Sequence, residues 1–401
     1  MRIGLVTEVF LPAVDGVVTR LMRTLEQQQR CGDEVLVIAP AGAPERYAGA
    51  RVLGMRALSL ALYPDGVGYP DKRVALPQPA LRRALRAFRP DLIHAVNPVL
   101  LAAGAVYHAR REGVPLVASY HAHLPTYARL YGLSALEAPS WRYLKALHNQ
   151  ADLNLCTSKA TMKTLQDHGI RRLELWPHGV SCTQPEHEQI AAMRKRLTGG
   201  RQEMPLLLYV GRLAKEKQVH LLKPVAAGVE GAVLAIVGDG PLRGELEAEF
   251  AGTATTFAGL LTGTELAAAY AAADVFVFPS VTETLGLVLV EAQAAGLPVI
   301  ACDSPVSREL ITDGASGLLY EARNVQSMLH AVRALAFDPE RRAKMSEAAR
   351  ASVQEATWER ATEVLRSHYQ KALEAHGARV RTSRTIELMA GARMRRRGGE
   401  R

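Results

Sequence analysis

Two glutamates, Glu283 and Glu291, bracket one of the most apolar runs of the chain, in the stretch FPSVTETLGLVLVEAQAAGLPVIACD (278–303). No ionisable side chain lies between residues 285 and 290, and the run ends in Gly-Leu-Pro, a helix-stop signal. The pattern predicts a strand, a loop that carries Glu283, a buried helix that carries Glu291, and a second strand. A carboxylate on a buried helix needs hydrogen-bond donors that face it, because an unpaired buried charge is costly.

Cations follow an earlier strand in YVGRLAKEK (209–217), which presents Arg212, Lys215 and Lys217 at the strand's carboxyl end. Arginine offers a planar fork and lysine a point charge, and both suit a diphosphate. Taken alone, a solvated basic turn explains the same residues. The next strand ends in VGDGP (237–241), where two glycines indicate that the backbone passes close to another group. No GxGxxG follows any strand, which disfavours a nicotinamide or flavin enzyme.

A helix start within LGL (285–287) would add an anion site, because the first N–H groups of a helix are free and its dipole end is positive. Beside Arg212 and Lys217, that site suits a diphosphate. Glu291 lies one turn into the helix and would accept hydrogen bonds from ribose hydroxyls. Glu283 would face the group beyond the phosphates.

A structural alternative is that each glutamate pairs with an arginine such as Arg308. That alternative is the better explanation for one glutamate taken alone. The joint spacing of five residues favours a ligand-binding site instead; they are Arg212, Lys217, Glu283, Gly286 and Glu291.

The first half of the chain has two further candidates. Gly16 follows the first strand, in PAVDGVV (12–18), and permits a tight turn and close approach to a phosphate. SYHAHLPTYA (119–128) ends another strand with His121 and His123. A metal site, structural hydrogen bonding and substrate contact stay open for these histidines. A metal site is disfavoured, because no carboxylate or cysteine lies nearby in sequence, and substrate contact by at least one of them is favoured over structural hydrogen bonding.

Short apolar strand candidates alternate with amphipathic helix candidates along the chain, which predicts parallel sheets covered on both faces. A polar segment, SCTQPEHEQIAAMRKRLTGGRQEM (181–204), interrupts the alternation. The predicted fold class is α/β, with two doubly wound Rossmann-like domains that face a cleft. The predicted division is an N-terminal domain at 1–180, a linker at 181–204, a second domain at 205–357, a helix at 358–375 that packs back on the first domain, and a basic tail at 376–401.

Composition agrees with a two-domain globular enzyme, since 401 residues exceed one ordinary core and 48% of them are hydrophobic. The cysteines are scattered, which predicts reduced thiols and neither a disulfide framework nor a zinc site; they are Cys31, Cys156, Cys182 and Cys302. No apolar run reaches the roughly 18 residues that span a bilayer. The N-terminal run is also too short for a signal peptide, so we expect a cytoplasmic protein.

The net charge of +9 is concentrated at one end of the chain. Eight arginines and two glutamates between residues 379 and 401 contribute six of the nine charges. A solvated tail, contact with anionic lipid and, more remotely, contact with nucleic acid are the explanations that stay open. A second basic element, ALRRALRAFRP (80–90), has an apolar stripe that either packs on its own sheet or meets a membrane.

In their order and spacing these motifs resemble those of the retaining glycosyltransferases of family 4, which have the GT-B fold. The resemblance covers about residues 1–375 and is carried by Gly16, His121, GRLAKEK, VGDGP and the pair Glu283…Glu291. Within the family, the motifs are most similar to those of sulfoquinovosyl-diacylglycerol synthases and related glycolipid and mannosyl transferases.

The resemblance implies roles for individual residues. Arg212 and Lys217 would hold the donor's diphosphate in place of a metal, and the leaving phosphate would take the acceptor's proton during front-face attack. Base recognition would be largely through backbone near residues 259–261. The residues implied in catalysis are His121, Glu283, Arg212 and Lys217. Those implied in donor binding are Gly16, Arg212, Lys217, Leu261, Glu283, Leu285, Gly286, Leu287 and Glu291. No metal or other cofactor is expected.

The resemblance also implies a nucleotide-sugar donor, with a UDP-sugar favoured, and an acceptor that is a membrane lipid such as diacylglycerol. We expect a peripheral protein on the cytoplasmic face of an anionic membrane, with no nucleic-acid partner. The alternatives are a GDP-mannose-dependent mannosyltransferase, transfer to a soluble sugar or metabolite, a sugar-nucleotide epimerase or hydrolase, and a polyanion-binding protein that acts through its arginines. Two departures leave the sugar and the acceptor open: Ser304 to Glu309 replace a glycine-rich turn, and Ser181 replaces an aspartate.

Overall fold

A computed structural model describes residues 1–59, 73–181 and 183–398, with the backbone alone at 59 and 383–398. Strands and helices alternate along it. The strands are β1 (Arg2–Thr7), β2 (Glu34–Pro40), β3 (Arg46–Tyr47), β4 (Ala50–Met55), β5 (Ala57–Ser59), β6 (Arg73–Ala75), β7 (Leu92–Val96), β8 (Leu116–Ser119), β9 (Leu153–Cys156), β10 (Leu173–Leu175), β11 (Leu206–Val210), β12 (Val233–Val237), β13 (Thr255–Gly259), β14 (Val275–Phe278), β15 (Val299–Cys302) and β16 (Gly317–Tyr320).

Helices connect these strands and cover both sheets. They are α1 (Gly16–Arg30), α2 (Pro79–Phe88), α3 (Leu101–Glu112), α4 (Leu124–Leu130), α5 (Glu137–His148), α6 (Lys159–Asp167), α7 (His187–Leu197), α8 (Lys223–Gly228), α9 (Arg243–Glu249), α10 (Gly263–Ala272), α11 (Leu287–Ala294), α12 (Pro305–Leu310), α13 (Val325–Ala336), α14 (Pro339–Ser352) and α15 (Trp358–Gly398). Short 3-10 helices lie at Ser134–Leu136, Lys215–Lys217 and Val219–Leu222.

Two sheets organise the described chain. The first has the order β10-β9-β8-β7-β1-β2-β4-β3, and the second has the order β13-β12-β11-β14-β15-β16. Pairing is parallel throughout both sheets except between β3 and β4. Central strands such as β7 and β11 are buried along their whole length, as expected when helices cover both faces. The predicted fold class, two doubly wound Rossmann-like sheets, is confirmed. Below, residues 1–180 are called the N-terminal half and residues 181–357 the C-terminal half.

The chain passes between the halves twice, and the two passages touch. The Val180 backbone N–H donates to the Ala356 carbonyl at 2.8 Å, and the Trp358 indole donates to the Ser181 hydroxyl at 3.1 Å. A Cβ on Gly179 would lie 2.6 Å from the Trp358 backbone, so a residue without a side chain is needed there. The predicted linker begins at this contact, and Cys182 within it lies outside the described residues.

Helix α15 returns from the second passage to the N-terminal half and packs on the first sheet. Leu365, Tyr369 and Ala372 are fully buried in the core that contains β1 and β2 residues. Farther along, Arg379 pairs with buried Asp152 at 2.9 Å. The sequence predicted that the helix ends at 375 and that a separate tail begins at 376. The helix instead continues to Gly398, because its contacts with the first sheet extend beyond residue 375. Residues 399–401 of the predicted tail lie outside the described residues.

The basic element at residues 80–90 forms α2, and its apolar stripe faces the sheet. Leu81 and Leu85 are buried in the core of the first sheet. Arg82 and Arg86 both donate to Glu112 of α3. The stripe thus serves packing in this structure. Across the described residues, no helix combines the length and apolarity needed to cross a bilayer.

Candidate active site

The loop between β14 and α11 carries Glu283, and two anchors fix its shape. The Thr282 hydroxyl donates to the Glu216 carbonyl at 3.0 Å, and the Ser280 hydroxyl reaches the same oxygen at 3.4 Å. Gly286, with a φ of 72°, caps α11 in the left-handed conformation, so the helix starts at Leu287, at the end of the predicted segment. The loop is therefore held against the Lys215–Lys217 turn that follows β11.

Lys217 and Glu283 meet at the carboxyl edge of the second sheet. The Lys217 ammonium lies 2.6 Å from Glu283 Oε1, and that oxygen also accepts a hydrogen bond from Ser280 at 2.8 Å. Only 21% and 13% of the two side chains are exposed, so the pair is shielded from solvent on most sides. The two residues that the sequence placed near a diphosphate and its sugar are thus direct neighbours.

Arg212 pairs with Glu216, a residue that the sequence analysis did not single out. Glu216 is buried, and its second carboxylate oxygen accepts a hydrogen bond from the Tyr131 hydroxyl at 2.7 Å. Burial raises the pKa of Glu216, but Arg212 and Tyr131 outweigh it and hold the pKa below its usual value. A charged Glu216 therefore joins Arg212 of the C-terminal half to Tyr131 of the N-terminal half.

Glu291 lies on α11 and accepts a hydrogen bond from the Tyr270 hydroxyl at 2.9 Å. Burial raises the pKa of Glu291 to about 7, although Tyr270 and Arg23 both act to lower it. Arg308, named above as a possible structural partner, pairs with Asp303 instead. Glu291 is thus a partly desolvated carboxylate whose only charge-assisted contact in the described structure is a tyrosine hydroxyl.

The VGDGP glycines lie against the loop that carries Arg212. A Cβ on Gly238 would lie 1.9 Å from the Gly211 carbonyl oxygen, and the Leu213 N–H donates to the Asp239 carbonyl at 2.9 Å. The close approach predicted from these glycines is thus between two neighbouring strand ends. Leu261, predicted near the base, is buried in the core of the second sheet.

Gly16 is the first residue of α1, and two N–H groups at the start of that helix already have a hydrogen-bond acceptor. The Asp15 carboxylate accepts hydrogen bonds from the Val17 and Val18 N–H groups, each at 2.9 Å. A carboxylate at this position opposes a second anion there. No described atom lies within 4 Å of where a Cβ on Gly16 would stand, so the space beside its backbone is open.

His121 lies two residues after the end of β8, and its ring is directed into the protein. Its Nε2 is hydrogen-bonded to the Ser119 hydroxyl at 2.9 Å, and its ring meets Trp176 edge to face at a centroid distance of 5.6 Å. The side chain is 7% exposed. Burial and nearby Arg20 lower the pKa of His121 well below its ordinary value, so the imidazole is neutral at neutral pH.

His123 has a different environment from His121. Its Nδ1 is hydrogen-bonded to the Tyr120 hydroxyl at 3.2 Å. Burial lowers the pKa of His123 to about 4, and the charge of Glu283 partly opposes that shift. His123 therefore lies within electrostatic range of the Glu283 loop. Across the described residues, no cluster of three or more histidine, cysteine, aspartate or glutamate side chains has a metal-binding geometry.

Thr284 joins the Glu283 loop to the N-terminal half. Its hydroxyl donates to the His121 carbonyl at 2.7 Å, while its own carbonyl accepts from Thr157 at 2.6 Å and from Thr161 at 3.1 Å. These contacts are buried. They set the loop of Glu283 directly against the strand end of His121.

The structure therefore brings together the four residues that the resemblance implies in catalysis, Arg212, Lys217, Glu283 and His121. Lys217, Glu283 and the Arg212–Glu216 pair lie on one sheet edge. The N-terminal half contacts this edge through the His121 carbonyl, which binds Thr284, and through Tyr131 at the end of α4. Among the hydrogen bonds and ion pairs of the described residues, none joins Gly16, Leu261 or Glu291 to this group. Tyr131, Glu216 and Tyr270 were missed, because a hydroxyl or carboxylate that binds a distant residue leaves no spacing signal in the sequence.

Comparison with known proteins gives a consistent assignment for both halves. Residues 14–184 match the family model Glycosyltransferase Family 4, and residues 195–352 match the model Glycosyl transferases group 1. A sulfoquinovosyl transferase of Arabidopsis thaliana is 37% identical over 366 residues, which cover 88% of this chain and 70% of that protein. A GDP-mannose-dependent alpha-mannosyltransferase of Mycobacterium tuberculosis is 37% identical over 381 residues, which cover 92% of this chain and 96% of that protein.

Two further similarities are more distant in sequence. An alpha-monoglucosyldiacylglycerol synthase of Streptococcus pneumoniae is 27% identical over 339 residues, which cover 80% of this chain and 75% of that protein. The solved structure of a sucrose-phosphate synthase from Thermosynechococcus elongatus superposes with a TM-score of 0.77 at 21% identity. The superposition covers 93% of this chain and 99% of the synthase chain.

Proposed function

The chain belongs to the family 4 glycosyltransferases with the GT-B fold, and from that membership we propose that it transfers a sugar from a nucleotide sugar to a membrane lipid, with retention of anomeric configuration. A diacylglycerol is the lipid that we favour. One of the relatives is named as a synthase of a glucosyl diacylglycerol, which supports this choice of acceptor.

The observation that carries the proposal is the charge arrangement at the edge of the second sheet. Lys217 is 2.6 Å from Glu283, and Arg212 is paired with Glu216, so each cation has a carboxylate beside it. A diphosphate would provide the negative charge that both cations can share, and it would leave Glu283 available to accept from sugar hydroxyls. The donor sugar would then lie between Glu283 and the His121 strand end.

The chemistry follows from this placement. The bond between the anomeric carbon and the diphosphate oxygen breaks, and a bond from the acceptor oxygen to the same face of that carbon forms. The proton of the acceptor hydroxyl passes to the leaving diphosphate oxygen. The protein contributes fixed positive charge from Arg212 and Lys217 where negative charge develops, together with positioning. Paired carboxylates across the bond, as in glycosidases, are not required.

The donor base and sugar have two candidates. We favour a UDP-sugar. A GDP-mannose donor is the second candidate, and the specific observation that favours it is the mannosyltransferase relative, which is matched over 96% of its length. A soluble sugar acceptor remains the alternative to a lipid.

A donor panel tests the proposal. The purified protein is incubated with UDP- and GDP-sugars and a lipid extract, and glycosylated lipid is identified by mass spectrometry, with the anomeric configuration read by NMR. Lys217→Ala should abolish turnover, whereas Lys195→Ala, which removes an exposed lysine of α7, should not. Free sugar as the sole product would indicate a hydrolase, and an inverted product would contradict retention.

We also propose that no metal ion takes part, because Arg212 and Lys217 supply the positive charge opposite the diphosphate. Turnover should persist in excess chelator. Turnover that is lost in chelator and restored by magnesium or manganese would overturn this part of the mechanism.

A further inference from the structure

A line of buried hydrogen bonds joins helix α15 to His121. The Tyr369 hydroxyl lies 2.8 Å from His94 Nδ1, and His94 Nε2 lies 2.8 Å from the Ser119 hydroxyl oxygen. The same oxygen lies 2.9 Å from His121 Nε2. Tyr369, His94 and Ser119 are fully buried, so water does not compete for these contacts.

Both histidines in this line are neutral. Burial and the neighbouring Arg20 lower the pKa of His94 to about 3 and that of His121 well below its ordinary value. Arg20 is itself fixed, because its guanidinium stacks 3.8 Å from the Trp176 ring and donates to the Trp176 carbonyl at 2.6 Å. A neutral imidazole has one N–H donor and one acceptor nitrogen, so a ring that accepts a hydrogen bond at one nitrogen donates at the other.

The direction in which hydrogens are donated along this line follows from the Tyr369 hydroxyl at its buried end. The Tyr369 hydroxyl has two described neighbours, His94 Nδ1 at 2.8 Å and the Gln28 side chain. Burial raises the pKa of Tyr369 and Gln28 opposes that rise, as a donor to the Tyr369 oxygen does, so His94 Nδ1 is the acceptor for the Tyr369 hydrogen. If His94 donated instead, the Tyr369 O–H would be a stranded buried donor, which is unfavourable. Tyr369 therefore donates, and the His94 hydrogen is on Nε2, from which it is donated to Ser119. The Ser119 hydrogen is then directed to His121 Nε2.

We propose that Tyr369 is a positioning residue, which acts through His94 and Ser119 to hold His121 in the tautomer that carries its hydrogen on Nδ1. Nε2 of His121 is occupied as an acceptor, so the remaining ring nitrogen can only donate. In a glycosyl transfer, His121 would thus offer an N–H group to a sugar oxygen. That last step rests on the proposed function, whereas the tautomer itself does not.

The proposal gives helix α15 a role beyond packing. The helix follows both sheets in the chain, yet its Tyr369 determines which nitrogen of a β8 strand-end histidine is a donor. Docking of the helix and the donor capacity of His121 are therefore linked.

The tautomer is tested by NMR on protein labelled with 15N-histidine. The His121 signals are assigned by their loss in His121→Asn, without any ligand. We expect a pyrrole-type shift for Nδ1 and a pyridine-type shift for Nε2. The opposite assignment in the native protein would overturn the proposal, whatever the protein's activity.

Tyr369→Phe tests the origin of the preference. Without the Tyr369 hydroxyl, the direction of donation along these hydrogen bonds is not fixed, so the His121 chemical shifts should move toward those of a tautomer mixture. We also expect kcat to fall about tenfold, with the donor KM little changed. Tyr320→Phe, which removes a buried tyrosine hydroxyl of β16 that bonds no histidine, is the matched control and should alter neither. Unchanged His121 shifts in folded Tyr369→Phe would refute the role of Tyr369. If that variant does not fold, the native spectrum still decides. A protein with the expected shifts but no transferase activity would refute the proposed function alone.

Discussion

Burial of Glu291 disfavours the ionised form of its carboxylate, whereas hydrogen bonds from ribose hydroxyls would stabilise that form. In the structure this carboxylate has the Tyr270 hydroxyl as its hydrogen-bond donor. We expect Glu291→Ala to weaken binding of the nucleotide sugar by about 1–3 kcal/mol, the usual cost of removing a charged hydrogen-bond partner. Calorimetry measures this, with Glu347→Ala on the exposed face of α14 as the control. Unchanged affinity in a variant that has lost stability would make Glu291 structural.

The raised pKa of Glu291 predicts a dependence of stability on pH. A carboxyl group with a pKa of about 7 in the folded protein and the ordinary value when unfolded stabilises the fold while protonated, below about pH 4.5. That contribution is lost as the pH rises through 7. Glu291→Gln, which stays neutral, should therefore be more stable than the native protein at pH 8, by on the order of 1–3 kcal/mol. Urea unfolding at pH 8 and pH 5 measures the difference, which should be smaller at pH 5; equal gains at both would contradict the raised pKa.

The single residues that could be predicted from sequence are those with a fixed spacing to a strand end or helix start. Lys217 and Glu283 are such residues, and the structure places them 2.6 Å apart. Glu216 and Tyr131 could not be predicted, because their contact joins residues 85 positions apart in different halves. The pairing depends on how the halves meet, which local patterns do not encode.

Among the elements, the end of α4 and the turn after β11 form a contact that should influence the donor site. Tyr131 occupies one oxygen of Glu216 while Arg212 binds the other, so Tyr131 limits how Glu216 can hold Arg212. We expect Tyr131→Phe to lower kcat by about tenfold. A double-mutant cycle with Glu216→Gln should show that the two losses do not add.

The control for this cycle is Tyr107→Phe, an exposed tyrosine on α3. Strictly additive losses would mean that Tyr131 acts independently of Glu216.

Element type was predictable where hydrophobic periodicity is strong, and boundaries were less so. The strands on either side of α11 follow from their apolar runs, and both are fully buried. The extent of α15 was not predictable, because its second part lacks a continuous apolar stripe and is stabilised at Asp152 by His376 and Arg379 instead. For α2, the sequence did not decide whether the apolar stripe packs on the sheet or meets a membrane. Leu81 and Leu85 are buried in the core, so the stripe packs on the sheet.

For the whole molecule, the charge distribution predicts reversible binding to anionic vesicles. The arginine-rich end of α15 is the stronger candidate, since Arg82 and Arg86 of α2 are engaged with Glu112. Anionic surfaces attract basic residues by roughly 1 kcal/mol each, and salt screens the attraction. Deletion of residues 393–401 should reduce vesicle binding more than donor binding.

Co-sedimentation with anionic and neutral vesicles at low and high salt measures this binding. Equal binding to both vesicle types, or binding to neither, would favour a soluble acceptor.

The two touching passages between the halves, at Val180 and Trp358, have a mechanical consequence. Because both passages lie at one place, a relative rotation of the halves about that place would leave the Val180–Ala356 hydrogen bond intact. Such a rotation would break contacts elsewhere between the halves, which include those of Thr284, Tyr131 and Glu309. The passages would then serve as a pivot, and the contacts away from the pivot decide whether Glu283 stays beside the residues around His121.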